Sequence, residues 1–362
     1  MCFNQNLILI SGKTIYKYNI IYENYGIIKY NNVILICHAL ASNHHAAGFY
    51  PEDPKPGWWN VHIGYKKSIN TNNYFLITLN NLGGCHGSIG PNIINKKNNN
   101  IWGPNFPIIT LNDLIKNQSK LAYNLGILKF LNIIGGSLGG MQVLEWSNKF
   151  PTKIYNAIII ASTNKLNSQN IAFNELARQS IKFNLNFKKG WFYSYNLYKN
   201  ISKYINLARM LGHLTYLSEI YLTITFNRNL YKKFFKNFKI KSYLINKGYN
   251  FYHYFDSNSY IIMTKILDFF NYIKKFNLFI YKTIKFIQCR FLIISFINDC
   301  RFSYKRSKKL VNILLTISNR VRYFNVNFNK GHDGFLLFNM NYISILYGFI
   351  NYKKNYCYII TP

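Results

Sequence analysis

The feature that most constrains this chain is Gly135-Gly136-Ser137-Leu138-Gly139, set between the apolar run 130–134 and a helix-forming stretch that starts after Ser137. The pattern fits G-x-S-x-G, in which a serine sits on a tight, strained turn from a strand into a helix. Such a turn brings backbones together two residues to either side of the serine, so glycine is the residue that fits there. A glycine-rich strand-to-helix turn without chemistry would show the same five residues. The buried strand before it and the helix after it favour a nucleophilic serine.

The rest of the chain supplies the sheet that such a turn requires. Residues 33–37 form a short, continuous apolar run, and 74–79, 130–134 and 157–161 are short and mostly apolar, as expected of strands buried on both faces. Helical patterns fall between them, at 111–125 and after Ser137, where Pro151 marks the stop. Residues 7–11 and 14–22 also read as strands, and the Asn-rich stretch 92–100 as a surface loop. From 33 to 161, strand alternates with helix, which predicts an α/β fold with a doubly wound, mainly parallel sheet. Residues 168–286 read as helical, and the alternation then resumes with a strand at 291–296, a helix at 304–315 and a strand at 321–328. The expected organisation is a core in two parts, 1–165 and 287–362, interrupted by a helical lid insertion at 166–286.

A serine hydroxyl needs a base, and the base needs an orienting acid. In this arrangement the chain order is Ser, acid, His. Past Ser137 only His213, His253 and His332 are available, and the acids before His332 are Glu145, Glu175, Glu219, Asp256, Asp268 and Asp299. Asp299 follows the strand 291–296 and His332 follows the strand 321–328, so both lie at the carboxyl ends of strands, where open α/β sheets place their sites. The expected triad is Ser137, Asp299 and His332. The oxyanion hole would use the backbone N–H of Leu138 and one from the loop His38-Ala39-Leu40-Ala41-Ser42, assigned to Leu40.

Composition excludes more than it proposes. The formal charge is +33, from 44 Lys and Arg against 11 Asp and Glu. The basic residues are scattered, and they accompany abundant Asn, Ile, Tyr and Phe, which share A/T-rich codons. That pattern reads as compositional drift on a solvated surface rather than a nucleic-acid footprint. The six cysteines show no Cys-x-x-Cys spacing, and His44 and His45 are adjacent without nearby ligands, so no metal site is expected. No apolar run reaches the ~20 residues of a membrane span. Without a basic-then-apolar leader at the start, the reading predicts a cytoplasmic enzyme that needs no cofactor.

Beyond these features, long stretches of the chain resemble the homoserine O-acyltransferase family, and most nearly its homoserine O-succinyltransferases. The matching text includes Cys37-His38-Ala39-Leu40, Gly57-Trp58-Trp59, Asn81-Leu82-Gly83-Gly84-Cys85-His86-Gly87-Ser88 and Gly135 through Gln142. It also includes Gln169 through Glu175, Leu207-Ala208-Arg209-Met210, His213 through Ser218, and Gly331-His332-Asp333. The resemblance implies the α/β-hydrolase fold, a homodimer, and ping-pong acyl transfer from an acyl-CoA through Ser137 to L-homoserine, a step of methionine biosynthesis. It further implies that Arg209 holds the substrate carboxylate and Asp333 its amino group. Arg301, two residues past Asp299, matches succinyl-specific relatives; acetyl-specific ones carry an apolar residue there. Succinyl-CoA is therefore the expected cosubstrate. Acetyl-CoA as donor, serine as acceptor and simple ester hydrolysis stay open on the residues alone. Cys300, Asn60 and Lys241 depart from the family pattern.

Overall fold

The computed structural model describes residues 1–29, 31–195, 198–230, 238–272 and 289–351. A seven-stranded sheet forms its centre. In chain order the strands are β1 (Tyr22–Tyr25), β2 (Val33–Cys37), β3 (Phe75–Leu79), β4 (Phe130–Gly136), β5 (Ile154–Ile160), β6 (Arg290–Phe296) and β7 (Val321–Val326). Their spatial order is β7-β6-β5-β4-β2-β3-β1. Every neighbouring pair is parallel except β1 and β3, which run antiparallel at the edge.

The strand sequences explain this arrangement. Val33-Ile34-Leu35-Ile36-Cys37 is buried along its whole length, and β4, β5 and β6 are nearly so. Alternate side chains enter two separate apolar layers: Leu35, Ile133, Ile159 and Ile293 on one face, and Ile36, Ile134, Ile158 and Ile294 on the other. The first layer is closed by helices α1 (Leu111–Asn124), α2 (Leu138–Lys149) and α8 (Tyr304–Leu315). The second is closed by α9 (Met340–Asn351) and by Trp59, Ile63 and Ile69 from the long connection between β2 and β3. The chain runs outward from β2 to β3, then returns to β4 on the opposite side of β2. The carboxyl ends of β2 and β4 therefore flank the point where the winding reverses, which is where doubly wound sheets hold ligands.

Between β5 and β6 the described chain is helical: α3 (Ser168–Lys182), α4 (Tyr198–Tyr216), α5 (Glu219–Phe226), α6 (Lys239–Tyr252) and α7 (Ser257–Phe269), with short 3-10 turns between α3 and α4. These helices do not stand apart from the sheet. Phe251, Phe255, Ile261 and Met263 share the apolar layer of the first face with Leu82, Ile109 and Met141.

The expected strand at 14–22 is broken into Thr14–Ile15 and Tyr18–Asn19, each paired in a two-stranded ribbon. Lys17 between them has φ 35°, a left-handed turn that interrupts an extended run. The Asn-rich stretch carries a small hairpin, Ile94–Asn95 against Asn100–Ile101. The expected junction at 286–287 lies outside the described residues. Among the described residues no helix is long and apolar enough to cross a membrane.

Candidate active site

Ser137 stands at the end of β4 with φ 57° and ψ −119°, the only residue between the strand and α2. Such a conformation is costly for a residue with a Cβ and persists only where the surroundings enforce it. Here the Ser137 N–H donates to the Ile160 carbonyl at 2.9 Å, and the Ser137 carbonyl accepts from Ser162 Oγ at 2.7 Å. The glycines around it leave no room for substitution. A Cβ on Gly135 would lie 2.3 Å from the Gly139 carbonyl carbon, and one on Gly139 would lie 2.0 Å from the Cys37 carbonyl oxygen.

The three residues expected to act together meet. His332 Nε2 lies 3.0 Å from Ser137 Oγ, and His332 Nδ1 lies 2.8 Å from Asp299 Oδ2. Nδ1 therefore carries the proton that faces Asp299, and Nε2 is left as the acceptor for the serine hydroxyl. The other Asp299 oxygen accepts from the backbone N–H groups of Arg301 (2.8 Å) and Phe302 (2.7 Å), which fixes the carboxylate in the loop after β6. Phe302 packs edge-on to the His332 ring, with centroids 5.1 Å apart. Gly331, at φ 74°, lets the chain pass so close to the end of α4 that a Cβ there would lie 2.6 Å from the Ser218 nitrogen. All three side chains are buried.

Leu138 opens α2, so its N–H is one of the unpaired donors at a helix start. Leu40 lies in the loop after β2 and lines the same cavity as Ser137. His38 holds that loop. Its Nε2 accepts from the Asn81 N–H at 2.9 Å, so its Nδ1 carries the proton and donates to the Ala39 carbonyl at 2.7 Å. The Ala39 carbonyl and the Leu40 N–H belong to one planar peptide, so anchoring the first aims the second in the opposite direction. The His38 carbonyl in turn accepts from Gln142 Nε2 (3.1 Å), and Gln142 accepts from Gln118, which accepts from the Trp146 indole.

One cavity of about 200 Å³ collects these groups. Its lining includes Leu40, Ser137, His332, Arg209, Asp333 and Arg301. Arg209, from α4, lies over the Phe251 ring at 4.6 Å. Burial pushes the Asp333 carboxyl above its usual range, opposed by the neighbouring His332 and Arg209. The Arg301 guanidinium, 7 % exposed as a residue, donates to Thr215 Oγ1 (3.2 Å) and Asn174 Oδ1 (3.0 Å). Of the residues expected at the site, Leu40, Ser137, Arg209, Arg301, His332 and Asp333 line this cavity, and Asp299 and Leu138 stand behind it beside His332 and Ser137. Cys300 is exposed, with its thiol 3.8 Å from the Asn298 carbonyl, and does not line the cavity. Among the described residues no group of His, Cys, Asp or Glu side chains converges as metal ligands, and His45 lies against Glu23 at 3.1 Å.

The sequence reading missed Gln142, Gln118, Asn174 and Thr215. Gln142, Asn174 and Thr215 all lay within the matched text, where that membership was their signal; Gln118 carried none.

Burial holds several histidines neutral: His38 and His213 are lowered to about 3, and His62 and His86 to about 4. A group whose folded pKa is depressed binds fewer protons folded than unfolded, so stability rises with pH through that interval. The fold is expected to hold its full stability above about pH 6.5 and to lose it progressively as pH falls toward 4. Tm followed from pH 7.5 to 4.5 checks this; a flat profile would contradict it.

The α/β hydrolase fold family matches residues 32–266 of the chain. Homoserine O-succinyltransferase of Litchfieldella anticariensis is 44 % identical over 356 residues, covering 96 % of this chain and 91 % of that protein. The chain belongs to the homoserine O-succinyltransferase family. Solved structures share its fold. Homoserine O-acetyltransferase from Bacillus anthracis superposes with a TM-score of 0.87 at 23 % identity, covering 98 % of this chain and 97 % of that one. Esterase E22 superposes with a TM-score of 0.85 at 22 % identity, covering 97 % and 98 %. The homoserine O-succinyltransferase match spans both the sheet and the helices between β5 and β6, so all the residues gathered at the cavity fall within it.

Proposed function

We propose that this chain transfers the succinyl group of succinyl-CoA to the hydroxyl of L-homoserine through an acyl-Ser137 intermediate. The observation that carries the reading is the charge pattern around one serine. Arg209, Asp333 and Arg301 line the cavity into which the Ser137–His332–Asp299 relay opens. Homoserine brings a carboxylate and an ammonium, which suit Arg209 and Asp333. A succinyl group brings one further carboxylate, which suits Arg301. Arginine presents a planar fork to such a group. The cavity volume, about 200 Å³, falls below the ~300–1,000 Å³ of sites for drug-sized ligands and suits two four-carbon units.

The chemistry follows from the positions. His332 Nε2 takes the Ser137 proton as Oγ attacks the thioester carbonyl. The tetrahedral oxyanion is met by the N–H groups of Leu40 and Leu138, each worth about 2.7–4 kcal/mol in the transition state. The carbon–sulfur bond breaks, and His332 returns its proton to the departing coenzyme A thiolate. L-Homoserine then enters, His332 takes its hydroxyl proton, and its oxygen attacks the acyl carbonyl. The second tetrahedral species collapses to O-succinylhomoserine, and Ser137 leaves with the proton. Asp299 steadies the imidazolium through both halves. The helices between β5 and β6 cover the site and limit competition from water. The same reading takes the enzyme to be a homodimer acting in the cytoplasm.

Coenzyme A release with L-homoserine, measured for succinyl-CoA and acetyl-CoA, tests the proposal. A charge-assisted hydrogen bond contributes about 1.5–3 kcal/mol, so Arg301→Leu is expected to lower the succinyl/acetyl ratio of kcat/KM roughly ten- to hundredfold. An unchanged ratio would remove Arg301 from donor recognition. Free succinate in place of O-succinylhomoserine would make the enzyme a hydrolase.

A further inference from the structure

Two buried arginines, Arg301 in the cavity lining and Arg178 on α3, are linked through Asn174 and Asp268, and the structure treats them differently. Arg178 is ion-paired: its guanidinium lies 2.6 Å from Glu175 and 2.7 Å from Asp268. Arg301 has no carboxylate within 4.0 Å of its guanidinium among the described residues. Its partners are a hydroxyl, Thr215 Oγ1, and an amide oxygen, Asn174 Oδ1. A buried cation met only by neutral acceptors keeps most of its demand for an anion, because dipoles do not replace the missing charge.

Asn174 stands between the two arginines. Its amide nitrogen donates to Asp268 Oδ1 at 2.7 Å, and its amide oxygen faces Arg301 at 3.0 Å. The orientation is dictated from behind. Asp268 can only accept, so the nitrogen must face it and the oxygen must face Arg301. Asn174 thereby does two things. It gives the guanidinium a fixed acceptor, which aims it, and it separates Asp268 from Arg301, which would otherwise form an internal ion pair. Thr215 holds a second guanidinium nitrogen, and its own hydroxyl proton is committed to the Gly212 carbonyl at 2.9 Å.

We infer that Asn174, with Thr215, is a positioning residue for donor selectivity: it keeps Arg301 aimed into the cavity and unneutralised, so that its charge remains available to the distal carboxylate of the acyl group. This rests on the reading of succinyl-CoA as donor.

Asn174→Asp nearly preserves shape and places a carboxylate against Arg301, so the cation is satisfied within the protein. The second oxygen of that carboxylate then faces Asp268 where an N–H donated before, a repulsion that lowers stability and is followed by Tm. The expected result is a succinyl/acetyl kcat/KM ratio at least tenfold below that of the unaltered enzyme, carried mainly by KM for succinyl-CoA. A purely structural role would lower both donors together and act on kcat; that outcome overturns the inference. An unaltered enzyme that does not prefer succinyl-CoA sinks the donor reading and this inference with it. An enzyme that prefers succinyl-CoA and keeps its ratio in Asn174→Asp sinks the inference alone. If Asn174→Asp does not fold by circular dichroism, Thr215→Val carries the test, since it removes one acceptor and adds no charge. A ratio lowered at least threefold in that variant supports the inference, and an unchanged ratio overturns it.

Discussion

Ser137→Ala is expected to lower kcat by at least ~10⁴-fold, the scale on which hydrolase-type triads respond to loss of the nucleophile. The residue is placed for a single task. It is forced into a left-handed conformation at φ 57°, its backbone is tied to β5 and Ser162, and its hydroxyl meets a histidine already oriented by Asp299. Alanine tolerates that backbone about as well as serine, so the variant should fold with a Tm close to that of the unaltered protein. Two measurements separate chemistry from folding. Coenzyme A release should vanish, and intact-mass analysis after mixing with succinyl-CoA should show no covalent adduct where the unaltered protein shows one. Turnover within tenfold of normal in Ser137→Ala would exclude an acyl-serine route.

Gly139→Ala is expected to damage fold and catalysis together. The added Cβ would lie 2.0 Å from the Cys37 carbonyl oxygen and 2.9 Å from its carbon. Both are backbone atoms at the end of a fully buried strand, so no side chain can rotate away. Forcing atoms into a packed core costs typically 1–3 kcal/mol, and more where backbone must shift. The shift would fall on β2 just before His38 and Leu40, whose peptide supplies one of the two assigned oxyanion donors. Losing one such donor costs ~10²–10³-fold in kcat. Gly348→Ala is the matched control, because nothing lies within 4 Å of a Cβ there and the position is exposed on α9. It should be neutral or gain up to ~1 kcal/mol from helix propensity. Equal behaviour of the two variants would show that the approach of α2 to β2 is looser than the structure has it.

The parts of this fold that were legible in the sequence are those with strong local causes. The strands at 33–37, 130–134 and 291–296 announce themselves by short, mostly apolar runs, and the elbow by glycines that nothing else can replace. The triad was legible because acids are scarce: with so few between Ser137 and His332, only Asp299 follows a buried strand. What stayed hidden depends on partners far along the chain. The edge strand Tyr22–Tyr25 is polar and exists because it pairs with Phe75–Leu79. Asn174 and Thr215 look like ordinary helix residues until Arg301, 127 and 86 residues away, is folded against them. His38 sits beside the assigned oxyanion loop in sequence, but its hold on that loop depends on Asn81, 43 residues on.

The cavity is built from two sources that meet at one surface. The loops after β2, β4, β6 and β7 bring Leu40, Ser137, Asp299 and His332, the residues to which the proposed reaction assigns the chemistry. Helices α3, α4 and α7 bring Asn174, Arg209, Thr215 and Leu267, which touch or steer whatever is bound. Choice of reactant is therefore divided: Arg301 and Asp333 sit beside Asp299 and His332 on the loops, and the helices supply the wall that faces and steers them. Substitutions on the inward faces of those helices can redirect the enzyme to another acyl group or another alcohol while the bond-making apparatus is inherited unchanged. A lineage built this way can change its metabolic role by repainting one wall of a standing room.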